Sequence, residues 1–517
     1  MRKILSFFAG AALWLGLSAA HANTLKLAYA ADPVSLDPHE QLSGATLQLS
    51  HMTFDPLIRL NKELQFEPRL AERWQRLDDL TVRFYLRKGV KFHSGNEMTA
   101  EDVVWTFDRL RESPDFKGIF APFKEAKAVD NYTVDLITYK PFPLVLNNAT
   151  YIFPMDRKFY SGLDENGKAK DRVVKHGNSF ASRNISGTGP YTVNYREQGV
   201  KVEFVRNPDY WDKSSKGNVD KIILTPIKED PTRVAALLSG DVDFIFPVPP
   251  TDLKRIDKAK NAQLFTMSGT RIILFQLNQD RKKEFKNPKV RLAITYAINQ
   301  KGIVKKIMKG FATPAAQFSP KGYLGYNEAL QPRYNLAKAK QLMKEAGYAD
   351  GFSVTMMAPN NRYMNDDKIA QAVASMLSKI NIKVDLKTMP KAQYWPEFDA
   401  RAADIMMIGW HADTEDSNNF FEFLATCPNT ETGAGQYNSG NYCNPEVDKL
   451  VAEANTETDP QKRAEIMQKI EKIIYDEAGF IPLHWQNLAW GTGNHIDAAP
   501  ILNVMNFPYL GDLVISK

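Results

Sequence analysis

The sequence predicts an α/β protein of two lobes joined by crossing strands, and three observations predict it. Ile222-Ile223-Leu224 reads as a strand, Thr232 to Ser239 as a helix stopped by Gly240, and Val242 to Phe246 as a second strand. That order implies parallel strands linked by a right-handed crossover. It recurs in the second half, where Phe352 to Met356 and the alternating Ile382, Val384 and Leu386 flank a helix. The length of 517 residues exceeds what one hydrophobic core usually holds, so two or three domains are expected.

In chain order, Met1-Arg2-Lys3, an apolar run from Ile4 to Leu17 and Ala20-His21-Ala22 read as a secretory signal peptide with a small-residue cleavage site. The run is shorter than the roughly 20 residues that span a bilayer, so the mature chain is expected to begin near Asn23 and to be exported. No cysteine near the cleavage site can carry a lipid. Leu25-Lys26-Leu27-Ala28-Tyr29 then alternates as a strand does, and Asp32-Pro33 and Asp37-Pro38 mark turns after it.

Residues 60 to 185 read as a mixed insertion, with a strand at Thr81 to Leu86 and a helix through Val103, Val104, Phe107 and Leu110. Thr99-Ala100-Glu101-Asp102 opens that helix with acids in its first turn. Gly187-Thr188-Gly189-Pro190 is a turn that either serves hairpin geometry or touches a ligand, and the strand pair Tyr191 to Asn194 and Lys201 to Val205 follows it. Asn365 is expected to cap a helix whose Ile369, Val373, Met376, Leu377 and Ile380 share one face. A long amphipathic helix from Pro460 to Asp476 precedes Phe480-Ile481-Pro482-Leu483, and Leu513-Val514-Ile515 is strand-like.

The apolar and charged fractions, 44% and 24%, are those of a globular protein and exclude general disorder. Formal charge is +6, and removing Arg2 and Lys3 leaves +4, too small and too dispersed for nucleic-acid binding. Cys427 and Cys443, 16 positions apart, are the only cysteines. In an oxidising compartment the pair is expected to form a disulfide, closing its loop for roughly 3 kcal/mol, because two sulfurs without nearby histidines are half a metal site.

Leu70-Ala71-Glu72-Arg73-Trp74, Leu86-Arg87-Lys88-Gly89-Val90-Lys91-Phe92-His93-Ser94-Gly95 and Thr99 to Val104 resemble the signature segment of the family 5 solute-binding proteins. These are the dipeptide, oligopeptide and nickel receptors of ABC importers. Ser35-Leu36-Asp37-Pro38-His39, Gly187 to Tyr191, Asn207-Pro208-Asp209-Tyr210-Trp211 and Asn287-Pro288-Lys289-Val290-Arg291 follow in family order. The resemblance implies a type II-like periplasmic-binding-protein clamshell with an extra subdomain in its first lobe. Its expected division is a signal at 1–22, a lobe I core of 23–58, 186–269 and 480–517, an extra subdomain at 59–185, and lobe II at 270–479. Trp74, Phe92 and Val103 are expected to pack that subdomain rather than touch ligand. The resemblance further implies a monomer that captures a small peptide or peptide-like ligand and docks on permease subunits in the inner membrane, with no cofactor.

Ile405-Met406-Met407-Ile408 has a buried-strand pattern, and Gly409-Trp410-His411-Ala412-Asp413 follows at its carboxyl end, where α/β sheets place ligand crevices. A shielded aspartate there would pair with an ammonium. In peptide-binding members a similar Trp-x-x-Asp segment holds the ligand's α-amino group, and Trp410 and Asp413 match it. The alternative for this segment is an acidic loop capping the next helix, which fits Asp416 better than Asp413. Arg362 stands in the strand-to-helix loop Asn360-Asn361-Arg362-Tyr363, and its guanidinium suits a peptide carboxylate, although the spacing to the next helix is shorter than in dipeptide receptors. Tyr363 and His411 join it as candidates for ligand contact, while Tyr394, Trp395 and Trp485 are either pocket walls or core.

An extracytoplasmic hydrolase is the rival class. It has no Gly-x-Ser-x-Gly elbow to support it, and His39-Glu40-Gln41-Leu42 is followed by Ser43 where a zinc protease needs its second histidine. Within the binding class, a nickel chelate, haem, a sugar or an opine remains an alternative cargo on the same fold.

Overall fold

The computed structural model describes residues 23–30, 35–42, 44–175, 177–412, 414–429 and 433–516. The export signal and the Asp32-Pro33 turn lie outside the described residues. Among the described residues no helix is long and apolar enough to cross a membrane.

The first strand, β1 (Thr24–Tyr29), buries Leu25 and Leu27 as its alternation requires. A subdomain follows, with a two-stranded sheet of β2 (Ile58–Leu60) and β3 (Phe66–Pro68). A four-stranded sheet orders β4 (Ala71–Arg76), β5 (Thr81–Leu86), β7 (Thr133–Thr138) and β6 (Phe123–Asp130). Val82, Phe84 and Leu86 face inward from β5 and share one core with Val103, Phe107 and Leu110 of the helix Ala100–Glu112. Asp102 closes that helix start by accepting the Thr99 backbone N–H at 2.8 Å. Phe92 and Val103 are buried in this core and Trp74 packs against it.

The remaining strands are β8 (Tyr191–Glu197), β9 (Lys201–Arg206), β10 (Lys221–Pro226), β11 (Phe244–Phe246), β12 (Ala262–Leu277), β13 (Ala312–Pro314), β14 (Phe352–Pro359), β15 (Ile382–Met389), β16 (Ile405–Trp410) and β17 (Phe480–Gly493). With β1 they form one sheet in the order β15-β14-β16-β12-β17-β11-β1-β10-β9-β8, and β13 joins β17 off this path. The crossover between β10 and β11 is parallel as expected, but β1 lies between the two strands and pairs with both. The helix Asp230–Ser239 that links them ends at Gly240, whose φ of 83° is the left-handed geometry glycine supplies.

β12 and β17 are the crossing strands. Their first shared stretch, Ala262 to Met267 against Gly493 to Leu488, carries Phe265, Met267, Leu488 and Trp490 into the lobe I core. Their second, Arg271 to Gln276 against Gln486 to Phe480, contributes Ile273, Phe275 and Leu483 to one lobe II core and Ile272, Leu274 and Phe480 to another. The register shifts between Met267 and Arg271, where three residues of β12 oppose one of β17. A Cβ on Gly269 would lie 2.2 Å from the Gln486 carbonyl oxygen, so the approach there requires glycine.

Two expectations are corrected. Asn365 occupies the helix start with φ 56° and makes no side-chain cap; Asp366 instead accepts the backbone N–H groups of Arg362 and Tyr363, both at 2.9 Å. Leu513 to Ile515 is no strand, and only an isolated bridge joins Ile515 to Ile496. The Gly187 to Pro190 turn packs against the scaffold, the first of the two roles it offered: Gly189 donates to Thr53 O at 3.1 Å and a Cβ on Gly187 would sit 2.0 Å from that same oxygen. The landmark segments likewise hold the fold together. Asp37 takes both terminal nitrogens of Arg109 at 2.9 and 2.6 Å, while Tyr210 and Trp211 donate to Asp55 at 3.0 and 2.8 Å.

Candidate functional site

β14 and β16 run parallel, so Asn360 to Tyr363 and Gly409 to His411 emerge at the same edge of the sheet. β12 runs against β16 with Ile272 opposite Trp410, which sets Thr270 and Arg271 beside His411. A chamber of about 560 Å³ opens at this edge, and Arg271, Arg362, Tyr363, Trp395, Trp410 and His411 line it. Leu42 contributes from the other lobe and Tyr437 from the disulfide loop. Concave sites with a few convergent polar groups are where small ligands are held.

Each lining group is fixed from behind. Tyr363 is buried and donates to the Gly409 carbonyl at 3.2 Å, its pKa raised by burial, with the nearby Arg362 and Arg271 guanidinium groups working against that rise. Gly409 is required there, since a Cβ would come within 2.6 Å of the Tyr363 ring. Trp410 donates its indole N–H to Asn419 Oδ1 at 2.8 Å and packs its ring on Tyr437 and Phe423, with centroids at 4.7 and 5.6 Å. Arg362 itself is exposed, its guanidinium 5.2 Å from the Tyr363 ring centre. It is free to turn its fork toward a carboxylate.

His411 Nδ1 hydrogen-bonds Thr270 Oγ1 at 2.9 Å, and Nε2 lies 3.0 Å from Glu415 Oε1, an ion pair when the ring is protonated. Glu415 has φ 51° and its other oxygen accepts the hydroxyl of Tyr323, whose pKa is raised well above normal by burial and by the Glu415 charge. Asp413 lies outside the described residues. Asp416 is not a solvated cap: it accepts the Asn418 N–H at 2.9 Å as the helix cap and pairs both oxygens with Arg463 at 2.6 and 2.7 Å, fully inside the lobe. Tyr394 and Trp485 are core, donating to Met407 O and Phe318 O at 2.5 and 3.2 Å, whereas Trp395 does reach the chamber.

The lobes touch beside this segment. Asn147 of the subdomain donates to Thr414 O at 2.7 Å. A small gap nearby is bounded by His51, Arg59 and Tyr509 on one side and Thr414 and Glu415 on the other. Desolvation and the flanking Arg59 and Arg69 charges hold the His51 pKa down to about 3.

Sequence reading missed Arg271, Thr270, Glu415 and Tyr437. Arg271 and Thr270 sit within an ordinary strand, and only the β12–β16 register reveals their place. Glu415 carried a signal, since it belongs to the acidic run already weighed for Asp413 and Asp416. Cys427 and Cys443 form the expected disulfide. Among the described residues, these sulfurs with Asp448 are the one cluster close enough for a metal, and bonded sulfurs offer no thiolate.

Comparison with known proteins places this geometry. Residues 65–432 match the family described as bacterial extracellular solute-binding proteins, family 5 Middle. The chain is 29% identical over 460 residues to the glutathione-binding protein GsiB of Salmonella choleraesuis (strain SC-B67), covering 87% of this chain and 86% of that one. It is 29% identical over 493 residues to the dipeptide-binding protein of Escherichia coli (strain K12), covering 88% of each. The periplasmic binding protein DppA from Helicobacter pylori, solved with the peptide STSA, superposes with a TM-score of 0.78 at 26% identity over 96% of this chain and 98% of that one. The two-lobed clamshell of these structures is the fold described above. The chain therefore belongs to the family 5 bacterial extracellular solute-binding proteins.

Proposed function

We propose that this protein is the periplasmic receptor of an ABC importer, capturing a dipeptide, oligopeptide or peptide-like zwitterion between its lobes and delivering it to permease subunits in the inner membrane. In this reading residues 1–22 are the export signal, the mature chain is a monomer, and the lobes divide at the boundaries given above. The observation that carries the reading is Arg362 at the edge where β14 and β16 end, lining a chamber whose next segment contains Asp413. Arg362 takes the ligand carboxylate through two parallel hydrogen bonds, and Asp413 takes the ammonium. Dipeptide- and glutathione-binding relatives support the ligand class.

Calorimetric titration with Ala-Ala, glutathione and an uncharged sugar tests this. Asp413→Asn is expected to weaken peptide binding by about 2–5 kcal/mol, the cost of leaving a buried charge unpaired, and Arg362→Ala, at an exposed side chain, to weaken it by less. Tight sugar binding that ignores both substitutions overturns the peptide reading.

A further inference from the structure

A second chamber, of about 350 Å³, lies between the subdomain and lobe II. Its walls are largely apolar, with Ile119, Phe142 and Leu144 on one side and Phe423 on the other. One carboxylate, Glu422, enters it, and it has neither a hydrogen-bond donor nor an ion-pair partner among the described residues. Burial alone raises the Glu422 pKa, with no cation near enough to offset it. Lys140, the other charged residue of the lining, is exposed. This chamber neighbours the first: Phe423 packs against Trp410, which lines the first chamber, and Asn419 accepts the Trp410 indole N–H.

An apolar sleeve with one unpaired carboxylate and an aromatic face suits a particular ligand chemistry. An alkyl chain fills the sleeve, and a terminal cation repays the desolvation of the carboxylate while lying near the ring. We infer that this chamber binds an aliphatic cation, an alkylammonium or alkylguanidinium group, through Glu422. The group is either the lysine or arginine side chain of a captured peptide, which rests on the peptide reading, or a free diamine.

Calorimetric titrations of the full mature chain and of Glu422→Gln with Ala-Ala, Ala-norleucine, Ala-Lys and cadaverine separate these cases. Ala-Lys is expected to bind at least about tenfold tighter than Ala-norleucine, and Glu422→Gln to erase that preference while Ala-Ala affinity stays unchanged. Cadaverine binding that is lost in Glu422→Gln, without a lysine preference among peptides, assigns the site to free diamines. If no dipeptide binds, the peptide reading fails and cadaverine alone decides. Equal affinity for Ala-Lys and Ala-norleucine with no cadaverine binding overturns the inference, as does a lysine preference that survives in Glu422→Gln.

Discussion

The residues that present the ligand edge are held in place by a buried relay. Thr270 fixes Nδ1 of His411, Glu415 lies beside Nε2, and Tyr323 fixes Glu415 from behind. Removing the Tyr323 hydroxyl leaves a buried carboxylate oxygen short of its donor, which costs about 1–3 kcal/mol. Tyr323→Phe is therefore expected to lower the unfolding free energy measured in urea by that amount and to weaken ligand binding as Glu415 shifts beside His411, both read from one protein preparation. At this scale the sequence was only partly readable. Trp410, His411 and Arg362 were picked out because a buried strand and a strand-to-helix loop ended beside them, and all three line the chamber. Tyr323 was invisible because about 90 residues separate it from Glu415, and no local pattern reports a contact that distant.

Among the elements, the turn after β16 depends on one ion pair. Asp416 caps the helix Ser417–Phe420 and neutralises Arg463 of the helix Pro460–Glu477, both side chains being buried. Breaking such a pair strands a charge, at a cost of about 3–5 kcal/mol. Asp416→Asn keeps the cap acceptor but loses the charge, so thermal and chemical denaturation should both show a loss of that size. A change under about 1 kcal/mol would mean that Arg463 finds water instead. Element types were well marked in the sequence, since the periods of strand and helix survive in β5, β15 and the helix Asp366–Leu377. Their termini were less so. The Asn365 cap failed because the backbone turned left-handed there, while Asp366 accepts from the loop N–H groups of Arg362 and Tyr363 before the helix. Leu513 to Ile515 has strand composition but pairs only as an isolated bridge.

For the whole molecule, buried titratable groups set the response to pH. Desolvation holds His39 and His51 down to about 3 and His484 to about 4, so these rings are neutral in the fold. The unfolded chain protonates them below about 6.5, so their stabilisation is complete above that pH and is lost as pH falls toward 4. Glu471 works oppositely: burial pushes its pKa up to about 7, so the fold binds a proton that the unfolded chain releases above its ordinary carboxyl range. Wild type thus loses the Glu471 contribution as pH rises from about 4.5 to 7. Melting temperatures of Glu471→Gln and wild type across this range should diverge in favour of the variant as pH rises. A constant difference would show that Glu471 is ionised throughout. The two-lobed plan was readable from the repeated strand-helix-strand order, but the placement of β1 between β10 and β11 was not, because periodicity gives strand type and never strand neighbours.

The register break in β12 has a mechanical consequence. The lobes are joined by two strands that stay hydrogen-bonded on either side of the break, and the change of core from one lobe to the other falls at that same point. Bending concentrated over Met267 to Arg271 leaves both paired stretches intact, as in a leaf spring clamped at its two ends. The travel of the jaws would then be limited by how far two adjacent backbones can twist over Met267 to Arg271.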